Sequence, residues 1–414
     1  LKGTCGRFGS RLSGIFAFLF SFCFLIISAG SANCEQFFYR HRIGDKYRFL
    51  TTVNEDIFIN RQFNHKAEII NRIAVELTDV SGDSGSIRAV FQTAEKATNQ
   101  DGNEIFQWSK EYVSEFDRSR LGNIAINSNY FMPVVRNVPV FPDRDLNPGD
   151  TWSAEGYEIH DFRDSLGIQD PYRIPFNADY VFLGTREWKG KAYPAFSVSY
   201  RILSEPAPPQ SGNVWPRRIQ GSSDQVVYWD TDLGQEVAHE ENFRLIFEMS
   251  NSMIAEYRGT SQSELIEAPV MNKEMIANEV LQNIQQMDIK GATVRVEDAG
   301  VTISIENIQF LADSAQLGND EKLKLDKITG ILNQYPDRDI LVSGYTAMVG
   351  TKEMQDYMSL QRATSVAGYL IEKNVRTPDR IIIRGYGADK PIADNDTEAG
   401  RSRNRRVEIT ILEN

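Results

Sequence analysis

The chain has 414 residues, enough for two or three folded units, and its 41% hydrophobic and 25% charged content is that of globular protein. Formal net charge is −12, from 57 acidic against 45 basic side chains. That balance argues against nucleic acid as a partner, because phosphate neutralisation needs clustered Lys and Arg.

The first 33 residues stand apart. Lys2, Arg7 and Arg11 make a basic start, Ile15 to Ile27 is an apolar run, and Ser28-Ala29-Gly30-Ser31-Ala32 supplies small residues. This three-part shape predicts a signal peptide over residues 1–33, and the run is short for a membrane span of about 20 residues. Two cleavage points fit. Gly30-Ser31-Ala32 suits cutting after Ala32, whereas Ser31-Ala32-Asn33-Cys34 loosely resembles a lipobox with lipidation on Cys34. The three cysteines, Cys5, Cys23 and Cys34, leave none for a disulfide framework in the body.

Residues 34–268 read as an antiparallel all-β domain, a sandwich or partly closed barrel. Ile57–Ile59, Ile69–Leu77, Ser86–Thr93, Tyr180–Leu183, Ala195–Leu203 and Arg244–Met249 are rich in β-branched or aromatic residues, several with period two. Turn clusters fall at Ser81–Gly85, Asn99–Asn103 and Pro206–Gly212. Val226 to Val237, with Asp230, Asp232 and Gly234 between apolar flanks, predicts a hairpin. Gly259 to Asn272 reads as a linker. Asn272 then caps a helix to about Met287, with Met275, Ile276, Val280, Ile284 and Met287 on one face. Residues 269–296 are thus assigned as linker and connecting helix.

From about Gly291 strands alternate with helices, and the chain as a whole is α+β. A hairpin over Thr293–Ile305 turns at Asp298-Ala299-Gly300. Helices follow over Asp320–Tyr335 and Lys352–Lys373, and strands over Asp339–Gly344, Arg380–Gly385 and Arg406–Leu412. This β-α-β-α-β order predicts a mixed sheet with helices on one face.

Nothing in the chain has the pattern of an enzyme. His41, His65, His160 and His239 form no metal-binding pair, and no body cysteine, G-x-S-x-G or phosphate loop is present. Asp143, Asp145, Asp150, Asp230 and Asp232 read as turn residues rather than calcium ligands. No cofactor or metal is expected.

Four blocks in the last quarter have a family pattern. They are Phe310-x-x-x-Ser314-x-x-Leu317, Ser343-Gly344-Tyr345-Thr346-Ala347, Leu360-Gln361-Arg362-Ala363, and the ending Asn395-x-Thr397-x-x-Gly400-Arg401-x-x-Asn404-Arg405-Arg406-Val407-Glu408-Ile409. In order and spacing, residues 297–414 closely resemble the OmpA-like peptidoglycan-binding domain. The resemblance implies an exported, non-catalytic envelope protein that holds the peptidoglycan stem peptide noncovalently, in the periplasm, with the outer membrane and cell wall as neighbours. In that family a G-H-T-D turn and a helix Arg grip diaminopimelate, the carboxylate taking its ammonium and the guanidinium its carboxylate. Here the implied site is Arg362, Thr346, Ala347 and Gln355, with Arg405 or Arg406. Tyr345 replaces the His and Ala347 the Asp, so diaminopimelate recognition is expected to be altered or weakened. The alternative is a β-domain that binds lipid or an envelope protein, on an OmpA-like scaffold that has lost wall binding.

Overall fold

A computed structural model describes residues 34–98, 104–210, 214–266, 271–306 and 317–413. The leader (1–33), the turn at 99–103, part of the Pro206–Gly212 turn and the Phe310–Ser314 block lie outside the described residues. Cys34 to Asn414 form one compact unit.

The N-terminal part is built from strands β1 (Lys46–Ile59), β2 (Gln62–Ser81), β3 (Ser84–Thr98), β4 (Glu104–Ser119), the short β5 (Ile124–Ile126) and β6 (Val135–Arg136), and β7 (Thr151–His160). After a helical turn α1 (Arg163–Leu166) come β8 (Tyr172–Trp188), β9 (Lys191–Ser204), β10 (Pro216–Asp230), β11 (Gln235–Met249) and β12 (Ile254–Ile266). The long strands pair antiparallel in the order β4-β3-β2-β1-β12-β11-β10-β9-β8-β7. The sheet is open. Its end strands β4 and β7 pair with β5 and β6 and, among the described residues, not with each other. Asp161 draws the two ends together, accepting from Tyr112 Oη at 2.7 Å and facing Lys110 at 3.6 Å. The predicted hairpin is β10–β11, with its turn closed by Gly234 N donating to Asp230 O.

One boundary differs from the sequence reading. Residues 259–266, read as linker, are the end of β12 and pair with both β1 and β11. Gly259 is required there: a Cβ would stand 2.1 Å from the Asn54 carbonyl oxygen on β1.

The C-terminal part comprises α2 (Lys273–Gln286), β13 (Ala292–Glu297), β14 (Gly300–Glu306), α3 (Asn319–Leu332), β15 (Ile340–Gly344), α4 (Lys352–Glu372), β16 (Ile381–Gly385), α5 (Glu398–Asn404) and β17 (Arg406–Leu412). Its sheet runs β13-β14-β17-β15-β16, and only β15–β16 is parallel. Alternation along the strands decides which face meets what. Ile340, Val342, Ile381, Ile383, Val407, Ile409 and Ile411 pack with α2, α3 and α4 in one core. Leu341, Ile382 and Leu412 point the other way, against Ile70, Phe106 and Trp108 of the β-domain. Asn272 caps α2 by accepting from Met275 N at 3.0 Å. Ile276, Val280 and Ile284 of α2 are buried as expected, but Met275, in the first turn, is exposed.

The two parts share a polar and a backbone contact as well. β16 pairs with β4 in parallel at Ile382–Phe106 and Ile383–Gln107. Buried Asp339 accepts from Arg72 Nη2 at 2.6 Å on one side and from Arg380 Nε at 2.8 Å on the other. Glu413 faces Arg48 at 3.0 Å and Lys273 at 2.7 Å. An Asp339→Asn change keeps the shape and removes the charge that two guanidiniums share. We expect about 1.5–3 kcal/mol of lost stability in urea denaturation, the usual range for hydrogen bonds to charged groups. An unchanged midpoint would mean that the contact contributes nothing net.

Candidate functional site

The turn after β15 carries Tyr345, Thr346 and Ala347, and α4 runs behind it. Gly344 permits their close approach, since a Cβ there would lie 1.9 Å from the Ser359 carbonyl oxygen. Gly344→Ala should therefore push β15 off α4. A loss of about 1–3 kcal/mol, typical of overpacking, is expected in thermal denaturation. Gly350, on the far side of the turn, has φ +81°, where a side chain is strained.

Arg362 projects from α4 to the turn, its Nη1 donating to Tyr345 O at 3.4 Å. Burial, and then the neighbouring charge of Arg405, pull its pKa below the ordinary arginine value. A half-buried guanidinium at the turn favours an anion. Arg405 is partly balanced by Glu398, to which it donates. Thr346 N donates to Gly387 O at 2.8 Å, while its buried hydroxyl has no hydrogen-bond partner among the described residues. Ala347 is buried and offers only its carbonyl, which accepts from Val349 N at 2.8 Å.

Gln355 and Arg406 stand differently. Gln355 Nε2 donates to the carbonyls of Val349 and Gly350 at 3.4 and 3.2 Å, so it holds the turn from within. Arg406 is buried. Its guanidinium lies 3.7 Å from the Tyr345 ring centroid, and its Nε donates to Glu408 at 2.7 Å. Of the two arginines, Arg406 is thus committed to Glu408 and the Tyr345 ring, while Arg405 donates to Glu398. Tyr345 stacks on Tyr386 at 5.0 Å and 7°, so its ring is packed into the fold.

The long closing motif is mostly scaffold. Asn404, fully buried, accepts from Ile392 N and Ala393 N and donates to Ala393 O and Asn395 Oδ1. Asn395 Oδ1 also accepts from Met348 N at 3.0 Å, tying this loop to the Tyr345–Ala347 turn. Thr397 caps α5 through Gly400 N, and a Cβ on Gly400 would meet Asp394 O at 1.8 Å. Residue spacing had given no sign of the Asn395–Met348 clasp.

These residues lie in a recognised family region. The model of the OmpA family matches residues 309–405, and the C-terminal part of the chain is OmpA-like. Among known proteins, the probable lipoprotein YiaD of Escherichia coli (strain K12) is 34% identical over 137 residues, 30% of this chain and 62% of its own length. The peptidoglycan-binding protein ArfA of Mycobacterium tuberculosis (strain ATCC 25618 / H37Rv) is 38% identical over 104 residues, 25% of this chain and 32% of ArfA. Motility protein B of Bacillus subtilis (strain 168) is 34% identical over 123 residues, 28% of this chain and 47% of that protein. The chain thus spans less than two thirds of each of these relatives. Among solved structures, an outer membrane protein from Borrelia burgdorferi B31 aligns over 29% of this chain and 96% of its own, with 32% identity and a TM-score of 0.25.

Proposed function

We propose that this is a non-catalytic cell-envelope protein whose OmpA-like domain associates noncovalently with peptidoglycan and tethers the β-domain, or the outer membrane, to the wall. The observation that carries this reading is Arg362, half-buried and donating to the Tyr345 carbonyl at the turn, within the family-matched region. A planar guanidinium suits a carboxylate of the stem peptide. The same reading places the protein in the periplasm, with residues 1–33 as leader, 34–268 as the β-domain, 269–296 as connection and 297–414 as the wall-binding domain. Cys34, exposed in the fold, is the lipidation point in the lipoprotein form.

A second reading rests on Ala347 alone. With no acceptor for an ammonium, the domain is a scaffold, and the β-domain carries the function by holding lipid or an envelope protein. Sedimentation of the full chain with purified peptidoglycan separates the two. Co-sedimentation with diaminopimelate-type or ornithine-type wall supports the tether. Failure with both supports the scaffold.

A further inference from the structure

One face of the β-domain sheet lines a half-open cavity of about 460 Å³. Strands from β1 to β3 form one wall and β7 and β9–β12 the other, and residues 132–135, leading into β6, also line it. On both sides the same face is packed solid, around Phe196 and Trp229 at one end and Leu77 and Ile87 at the other. Along β11 the inward positions run His239, Glu241, Phe243, Leu245, Phe247 and Met249, so the polar stretch gives way abruptly to core.

The polar groups are held in place. Glu241 accepts from Ser223 Oγ at 2.6 Å, Gln225 Nε2 at 3.2 Å and Ser261 Oγ at 2.9 Å. Buried Glu158 accepts from Tyr200 Oη at 2.9 Å and pairs with His160 Nε2 at 2.8 Å. Glu55 joins them from β1. The donors to Glu241 are neutral hydroxyl and amide groups. Arg244, the guanidinium at the cavity, is taken up by Glu256 at 2.9 Å. His239 is engaged by Glu236 at 2.6 Å. Three carboxylates, Glu55, Glu158 and Glu241, thus line the pocket where a fold that needed only packing would have put carbon. Among the described residues no three His, Cys, Asp or Glu side chains stand close enough together to hold a metal ion. The carboxylates are spaced around carbon walls that include Ile73, Ile202 and Leu245.

We propose that this cavity binds an organic ammonium ion with an apolar body, the ammonium at Glu241 and Glu158 and the carbon chain against the apolar walls. The site is independent of wall binding, and its test does not involve peptidoglycan. The full chain is titrated calorimetrically with octylammonium, 1-octanol and octanoate. Octylammonium is expected to bind at least tenfold more tightly than 1-octanol, with octanoate weakest. Glu241→Gln should lower the octylammonium affinity about tenfold or more while leaving 1-octanol unchanged. Should that variant fold poorly, Glu158→Gln reads the same charge, and the comparison of probes on the unaltered protein needs no variant. Equal binding of octylammonium and 1-octanol, preference for octanoate, or no octylammonium binding at millimolar concentration would each overturn the proposal.

Discussion

Arg362→Ala is expected to remove sedimentation with peptidoglycan, whatever diamine the wall contains. The guanidinium is half-buried and aimed at the turn, and Arg405 alone is partly balanced by Glu398. Truncating one member of a desolvated charge pair costs about 2–5 kcal/mol, a loss of tens-fold or more in affinity. Ala347→Asp is the complementary test. The turn is fixed by Met348 N on Asn395 and by Thr346 N on Gly387, so a carboxylate at 347 would enter a preset geometry. It should strengthen binding to diaminopimelate-type wall by a similar factor. It should also weaken in the double variant with Arg362→Ala. Tight binding by the unaltered chain to diaminopimelate-type wall would show that other groups take the ammonium. Binding unchanged in Arg362→Ala would make that arginine a support for the Tyr345 carbonyl and no more.

The largest stability loss should come from Glu408. It accepts from Arg295 Nη2 at 2.8 Å and Arg406 Nε at 2.7 Å, and the side chains of Glu408 and Arg406 are 4% and 3% exposed. Glu408→Gln leaves the buried Arg406 guanidinium facing a neutral amide beneath the Tyr345 ring. Breaking one side of such a pair costs about 3–5 kcal/mol. The pH dependence follows from the same contact. Burial alone would raise the Glu408 pKa, but hydrogen bonds from Arg295 and Arg406 outweigh it and hold the pKa below the ordinary glutamate value. A depressed folded-state pKa gives stability that is complete above the unfolded-state value and fades as pH falls toward the folded one. Urea midpoints of parent and variant should therefore differ most at neutral pH and converge in acid. A gap that stays constant down to pH below the glutamate range would assign the loss to packing instead of charge.

How much of this was legible depends on what each strand faces. β17, with Val407, Ile409 and Ile411 turned to one core, announces itself by alternation, and so does the β10–β11 hairpin. β12 does not. Its inward residues include Ser261 and Ser263, which serve Glu241 and Thr51, so the apolar signal is missing and the segment looks like linker. The site divides in the same way. The turn and helix blocks of the family pattern pointed to Ala347 and Arg362 as positions to examine. Spacing could not separate Arg405, paired with Glu398, from Arg406, buried under Tyr345, because that depends on where β17 begins. The cavity was out of reach, since its residues come from nine strands.

The way the chain leaves Cys34 sets what kind of tether it can be. Glu35 exchanges two backbone hydrogen bonds with Leu146, and Phe37 is buried against Phe141 and Phe182. There is no slack between that cysteine and the folded body. The β4–β16 pairing and the Asp339 contacts reduce the play between the two sheets as well. Fixed to a membrane at Cys34 and to the wall at Arg362, such a molecule would act as a strut and not a rope. The gap between the two surfaces would be set by the protein's own span.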